Sequence, residues 1–484
     1  MNNKVIGELE FLTVNMSKKN GDTLFYYLSE DFLLRKWNDT GIVLLDKKSF
    51  RLKYLSSYEE AAVLYANGKI NFRLPVIPEK IRIAAHKLSK QGFLKIGEQL
   101  LPEEQLLKEY SNRYIPRVKW IITENCNYKC KHCFLSAPSA VCHQQTTEEC
   151  ISLINDMAEC GIYDIRLTGG ETLIRSDIIE LIAYIHKKGM RVTSISTNGS
   201  LITEKLLDKL NELGCKPTFN ISFDGLGHHD WLRGIKGAEK NVLLKHMLLH
   251  SRGFESTSAI SLYKRNLDSL RETVTTLAKV GCENLIINRI YSAGEWAKAD
   301  NTSMELTPSE YAQVCLDYLP LYFEDGKPLN LFINPFVYMR KDTEPTFPSM
   351  REFDGNENQP VCIGMHQTLL ISANGQFLPC YMMSGFDIAK SMPKISELGF
   401  KATLENSFYS ECINKSIAEY YNENTECRDC VYAKNCIAGC RANALITSPD
   451  NLLAKDIVTC EYFKKGYIEK IHQTVNALYE KYGA

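Results

Sequence analysis

Several things are missing from this chain of 484 residues, and each absence narrows its class. It has no stretch of about 18 uninterrupted apolar residues, the length a helix needs to cross a bilayer. Its opening, "MNNKVIGELEFLTVNM", lacks a basic segment followed by a long apolar run, so it does not read as a secretory signal. The expectation is a cytoplasmic protein with no membrane partner. Net charge is nearly absent as well. A formal value of -1 with 24% charged residues gives no global field that favours nucleic acid, and no nucleic-acid partner is expected. Heptads, solenoid repeats and low-complexity tracts are also lacking. Residues 1–112 contain no cysteine, although the chain has 17. In a reducing cytosol, clustered cysteines point to metal rather than disulfides.

A chain this long exceeds one hydrophobic core and predicts about two to four domains. Residues 1–112 read as a small α+β domain. The runs "TLFYYL", "GIVLLD" and "FRLKYL" suggest strands, with an exposed-edge candidate at Phe50 to Leu55. "SYEEAAVLYANGK" and "PEKIRIAAHKLSKQGFL" suggest helices, and in the second Ile81, Ala84, Ala85 and Leu88 fall on one face. Through Ile115 there are 18 Lys+Arg against 14 Asp+Glu, a mildly basic balance. The pattern resembles a winged-helix recognition domain.

From Val118 the pattern becomes strand, loop, helix, repeated about every thirty residues. The strands are "VKWIIT", "YDIRL", "RVTSIST", "PTFNIS", "STSAIS" and "ENLIINR". Six parallel strands alternating with helices must curl into a full or partial barrel or an open sheet, with function at the C-terminal strand ends. Residues 113–320 are assigned to this barrel and 321–360 to a bridging segment. Residues 361–484 form a second cysteine region, where Asn374-Gly375 between two apolar runs signals a hairpin.

The loop after the first strand, "ENCNYKCKHCFLS", spaces Cys126, Cys130 and Cys133 as CxxxCxxC. Three thiolates on one tight loop can hold three corners of a 4Fe-4S cluster and leave the fourth iron open. The alternative is structural zinc, with His132 or a remote residue as fourth ligand. Further on, Cys362, Gly375 and Cys380 read Cx12Gx4C, and Cys427, Cys430, Cys436 and Cys440 read CxxCxxxxxCxxxC, with Cys460 beyond. A zinc ribbon explains part of that second set, but not seven cysteines in this order.

Residues 115–320 resemble the radical S-adenosylmethionine (SAM) enzymes, whose mark is CxxxCxxC after the first strand of a partial (β/α)6 barrel. The resemblance implies that the open iron chelates SAM, that electron transfer cleaves it, and that the resulting 5′-deoxyadenosyl radical abstracts a substrate hydrogen. It places His132 near the adenine and Gly169, Gly170 and Glu171 at the SAM amino group, where glycines let carbonyls approach and Glu171 adds charge. Ser196, Thr197 and Asn198 suit the ribose, although Asn198-Gly199 reads equally as a turn. Ser222 is placed near ribose or carboxylate, and Arg233 is a candidate carboxylate partner. No catalytic base is singled out, since 25 tyrosines offer no selection.

The second cysteine region looks like the SPASM extension of peptide-modifying relatives. By that resemblance Cys427, Cys430, Cys436 and Cys460 ligate one auxiliary 4Fe-4S cluster, and Cys362, Cys380 and Cys440 hold another one ligand short. Cys412, Asp354, Glu357 or a substrate thiolate would fill the gap. The N-terminal domain resembles the precursor-peptide recognition element, which adds a leader peptide to its sheet edge.

The expectation is therefore a maturase of a ribosomally made precursor peptide, similar to thioether-forming sactipeptide and ranthipeptide synthases. It would hold SAM and three 4Fe-4S clusters and take electrons from a donor such as flavodoxin or ferredoxin. Alternatives are a carbon-carbon crosslinking, epimerising or decarboxylating maturase, a sulfatase-maturase-like residue oxidase, and a zinc-stabilised nucleic-acid-binding adaptor.

Overall fold

Strand and helix periods along the chain resolve into two units, Met1–Tyr114 with Glu159–Gly161, and Ile115–Ala158 with Ile162–Ala484. The computed structural model describes residues 3–20, 23–135, 144–299, 301–350 and 352–483. Cys142 lies outside the described residues.

The first unit contains α1 (Asn3–Asn20), β1 (Tyr26–Leu28), β2 (Phe32–Lys36), β3 (Val43–Asp46), β4 (Leu52–Tyr54), α2 (Ser57–Tyr65), α3 (Glu79–Lys90), β5 (Leu94–Ile96) and β6 (Lys108–Glu109). Ser56 and Glu59 start α2 with a reciprocal capping box that satisfies donors left over at its first turn. On α3, Ile81, Ala84, Ala85 and Leu88 are the buried residues, the face expected from their spacing. They join a core with Leu34, Leu44, Val63 and Phe72. The main sheet runs β4-β3-β2-β6, so β4 is an edge strand, as the sequence suggested for Phe50 to Leu55. Four elements, α1, β2, β5 and β6, were not expected from the sequence. β2 buries adjacent rather than alternating residues, so it carries no period of two. β5 and β6 are three and two residues long, too short to show one.

The second unit begins with β7 (Val118–Thr123), α4 (Thr147–Glu159), β8 (Asp164–Gly169), α5 (Ile178–Lys187), β9 (Arg191–Thr197), α6 (Glu204–Glu212) and β10 (Thr218–Ser222). It continues with α7 (His229–Arg233), α8 (Ala238–Ser251), β11 (Ser256–Leu262), α9 (Leu270–Lys279) and β12 (Asn284–Arg289). β7 to β12 pair in sequence order, all parallel, as the alternating pattern predicted. Their buried face is apolar, as with Ile165 and Leu167 on β8 and Phe219 and Ile221 on β10, while polar residues such as Arg166 and Asn220 alternate with them on the other face.

The remaining elements extend the sheet at both edges. After α10 (Gly294–Lys298) and α11 (Pro308–Glu324) come β13 (Asn330–Ile333), β14 (Val337–Arg340) and β15 (Thr343–Thr346). β13 joins β12 in parallel, and β14 and β15 follow antiparallel, so residues 321–360 are not a mere bridge. Their strands are each four residues long on either side of tight turns, too short to show a period. At the other edge, after α12 (Ile363–Gln367), the hairpin of β16 (Leu369–Ile371) and β17 (Phe377–Leu378) adds to β7, with β16 parallel to it. The result is one open sheet of 11 strands. Short helices fill most of the chain from Ile395 to Tyr482.

Leu331 on β13 is fully buried, facing Leu285 and Met339 in register. Leu331→Ala is expected to cost about 2–5 kcal/mol, whereas Glu344→Ala on exposed β15 should stay within about 0.5 kcal/mol. Chemical denaturation of both variants checks this; equal midpoints would return residues 321–360 to a bridge.

Candidate functional site

The parallel strands end on one side of the sheet, and the residues just past those ends surround a cleft of about 1240 Å³. Cys126, Cys130 and Cys133 line it, together with His132, Gly169, Gly170, Ser196, Asn198 and Ser222. Every SAM-contact residue anticipated from the sequence is thus there except Glu171.

The cysteine loop is held by backbone contacts. Gly170 N–H donates to Thr123 O at 2.9 Å and Glu171 N–H to Asn125 O at 2.8 Å. A Cβ on Gly170 would sit 2.5 Å from Glu124 O and 2.6 Å from Asn125 O, so only glycine lets the loop lie this close. On the other side Lys131 N–H donates to Leu232 O at 2.8 Å, fastening the loop to α7.

Glu171 is displaced from its expected role. It is fully buried and does not line the cleft. Its carboxylate accepts from the Thr197 hydroxyl and Asn198 N–H, each at 2.7 Å, and from Leu173 N–H at 3.0 Å. Burial raises its carboxyl above the usual range despite these bonds. Glu171 therefore ties the end of β8 to the end of β9, with Oε1 accepting two of these bonds and Oε2 one.

His132 keeps a buried Nδ1 that has no hydrogen-bond partner among the described residues. Burial, and after it Arg233, pushes its ring down to about 3, so it stays neutral. Behind it lies a buried ion pair: Arg233 Nε donates to Asp224 Oδ2 at 2.6 Å, and Asp224 is fully buried. Burial alone would raise that carboxyl, but Arg233, His229 and His132 hold it well below the usual carboxylate range. Donors also reach the thiols. Tyr128 N–H lies 3.4 Å from Cys126 Sγ and Arg233 Nη1 3.7 Å from Cys130 Sγ.

Sequence reasoning missed several lining residues, Lys119 and Tyr381 among them. The Lys119 ammonium lies 4.2 Å from the Tyr381 ring centroid. They are 262 positions apart, and only the pairing of β16 on β7 brings them together.

The later cysteines collect in two places. Cys427, Cys430, Cys436 and Cys460 line one cavity of about 790 Å³, with Tyr420 OH 3.3 Å from Cys427 Sγ. Cys362, Cys436 and Cys440 line a neighbouring one of about 1090 Å³, and Asp354 lines it too. Desolvation raises the Cys440 thiol, and the nearby thiols of Cys380 and Cys362 add to the rise. Between the two groups Ile437, Ala438 and Gly439 all have φ near +44 to +69°, a left-handed run that is costly for the β-branched Ile437. Across this turn Cys436 lines both cavities, whereas Cys440 lines the second alone. Of the other anticipated ligands, Cys412 is buried away from both cavities, and Glu357 pairs with Arg428 at 3.2 Å.

Residues 120–277 match the radical SAM superfamily. The chain is an enzyme that carries a radical SAM domain. It is 27% identical over 342 residues to the AdoMet-dependent heme synthase of Methanosarcina barkeri, covering 69% of this chain and 93% of that one. It is 22% identical over 365 residues to the antilisterial bacteriocin subtilosin biosynthesis protein AlbA of Bacillus subtilis, covering 73% and 72%. The crystal structure of Streptococcus suis SuiB bound to precursor peptide SuiA superposes with a TM-score of 0.62 at 16% identity, over 90% of this chain and all of that one, a likeness of fold. The reading as a non-catalytic zinc-stabilised adaptor is thereby set aside.

A radical SAM domain implies SAM and a 4Fe-4S cluster, and the cleft fits both. Three thiols line it with N–H donors at two sulfurs, beside glycine backbone and polar groups from several strand ends. Among the described residues no three His, Cys, Asp or Glu side chains gather tightly enough to hold one metal ion. A cubane takes each thiolate on a separate iron and needs them spread apart.

Gly170→Ala should displace the cysteine loop and lower bound iron by about four per chain while far-ultraviolet circular dichroism stays near that of the parent. Unchanged iron and sulfide would show that the loop does not depend on this close approach.

Proposed function

We propose that this radical SAM enzyme modifies a ribosomally made precursor peptide and forms a cysteine thioether. Residues 1–112 capture the leader peptide, the barrel carries out the chemistry, and residues 361–484 carry two auxiliary 4Fe-4S clusters. The observation that carries the thioether reading is the uneven division of the later thiols. Cys427, Cys430, Cys436 and Cys460 line one cavity; Cys362 and Cys440 line the neighbouring one, which Cys436 also reaches, with Cys380 close enough to help raise the Cys440 thiol, and Cys412 lines neither. An iron without a protein thiolate there would take the thiol of a substrate cysteine and deprotonate it.

With SAM and the cluster of Cys126, Cys130 and Cys133 bound, the site supplies a 5′-deoxyadenosyl radical that takes hydrogen from a substrate carbon. The chain's own residues then hold the reactants. The Gly169 and Gly170 backbone is the surface for the amine of SAM, Ser196, Asn198 and Ser222 offer polar groups to ribose and carboxylate, and neutral His132 lies beside the base. Lys119 and Tyr381 close the side of the cleft nearest Cys380. Asp354 is the side chain best placed to compete with a substrate thiol, since it lines the cavity of Cys362 and Cys440.

Support for a peptide substrate comes from the first unit. β4 has a neighbour on one side alone, and Tyr54 on it and Ile83 on α3 are 63% and 61% exposed. Lys53, Lys80 and Lys87 lie on the same elements, so an acidic leader with apolar anchors would find both chemistries. The relative named for subtilosin biosynthesis points the same way. Electrons would come from a carrier such as flavodoxin or ferredoxin.

A second reading, SAM-dependent conversion of a heme precursor, is favoured by the similarity to the heme synthase. That match leaves about a third of this chain uncovered, room enough for a leader-binding unit that a tetrapyrrole would not require.

Two experiments test the proposal. Anaerobic enzyme with SAM and reductant should release 5′-deoxyadenosine, and release at the parent rate after Cys126, Cys130 and Cys133 are all changed to Ala would refute the assignment. Deleting residues 1–112 should lower turnover of a cysteine-containing precursor peptide more than tenfold, and its product should lose two hydrogens and one alkylatable thiol. Loss of two hydrogens with all thiols still alkylatable would indicate a carbon-carbon link, peptide turnover unaffected by the deletion would favour the sulfatase-maturase-like residue oxidase, and no turnover of any peptide by the parent would favour the heme-precursor reading.

A further inference from the structure

Arg233 is more than a cation near the cleft. Its Nε is committed to Asp224 Oδ2 at 2.6 Å, which aims Nη1 at Cys130 Sγ, 3.7 Å away. The anchor is strong because Asp224 is fully buried, and its other oxygen lies 3.4 Å from Ser261 N–H, a contact to β11. The distance between helix and loop is set independently. Lys131 N–H donates to Leu232 O, and Gly234, at φ 68°, ends α7 where a Cβ would stand 2.7 Å from Lys129 O. These restraints, one on each side of Cys130 and one behind Arg233, place a permanent positive charge and an N–H donor beside a single thiol of the three.

We propose that Arg233 is a positioning residue whose donation to the Cys130 thiolate, held by Asp224, raises the reduction potential of the cluster at Cys126, Cys130 and Cys133. The inference rests on the proposed ligation of that cluster. A guanidinium keeps its charge at any working pH, and a charge-assisted bond to a thiolate is stronger than a neutral one. Reduction adds negative charge to the cluster, so a nearby cation and an N–H···S bond stabilise the reduced form more than the oxidised form; hydrogen bonds to the sulfurs and net charge are the terms by which a protein tunes such a potential. Asp224 works in the opposite sense, because its carboxylate partly cancels the guanidinium.

The two charges therefore predict shifts of opposite sign, which general loosening of the fold would not give. The test uses the full chain with its clusters reconstituted, titrated anaerobically without SAM and followed by electron paramagnetic resonance. The signal tracked is the one missing from the Cys126→Ala/Cys130→Ala/Cys133→Ala variant. At a fixed ambient potential Arg233→Leu should lower the reduced-to-oxidised ratio about tenfold, equivalent to about 59 mV for a one-electron couple. Asp224→Asn keeps an oxygen to accept from Arg233 while removing the countercharge, and should raise the ratio. A ratio in Arg233→Leu within twofold of the parent overturns the proposal, even if SAM affinity falls. Shifts of the same sign in both variants overturn it too. If the triple alanine variant retains every signal, the ligation itself is wrong and the proposed function fails with it.

Discussion

Backbone pressed against backbone is the constraint on which the site depends. The loop carrying the three cysteines lies between the end of β8 and the end of α7, and at both contacts a glycine stands where a Cβ would meet a carbonyl oxygen. Gly170 and Gly234 do not simply permit turns. They let peptide groups approach closely enough for the hydrogen bonds from Gly170, Glu171 and Lys131 that fix the loop. A loop pinned at both ends presents its thiols without relying on their own packing, which matters because the three are only partly buried.

Around that loop the charges are buried and accounted for. Glu171 is deep in the sheet, but two backbone N–H groups and a hydroxyl satisfy it, so its cost is offset and adjacent strand ends are locked together. Asp224 and Arg233 form a pair whose disruption on one side would leave an uncompensated charge in a dry environment. The carboxylates of both networks lie behind the cleft, whereas Arg233 lines it, as does Lys119. The other groups meeting a ligand are backbone, small hydroxyls, an amide and a neutral imidazole, which can wrap a zwitterionic nucleotide.

The C-terminal region belongs to the same body of sheet. Because β16 pairs with β7, the strand that launches the cysteine loop also carries the hairpin leading to Cys380 and Tyr381. The cleft and the set of Cys362, Cys380 and Cys440 thus share a strand, and Lys119 on that strand touches the surroundings of both. At the far side the left-handed run at Ile437 to Gly439 separates the two groups of later thiols. Backbone strain of that kind persists only where its surroundings demand it.

Much of this was legible in short-range pattern. The CxxxCxxC loop, the six strands in order, the buried face of α3 and the Asn374-Gly375 hairpin all follow from local spacing, because periodicity and turn chemistry act over a few residues. The start of α11 is written in the same local terms, through the capping box of Thr307 and Glu310 with Pro308 between. β2 and β13 to β15 were not legible, because short strands show too few alternations to reveal a period. What only the tertiary structure decided is long-range proximity: Arg233 against Cys130, Lys119 against Tyr381, Glu171 turned inward to Asn198. The amino-acid order determined which chemistries are available, whereas sheet order and close glycine contacts decided which of them meet, since those distances are set by packing between segments far apart in the chain.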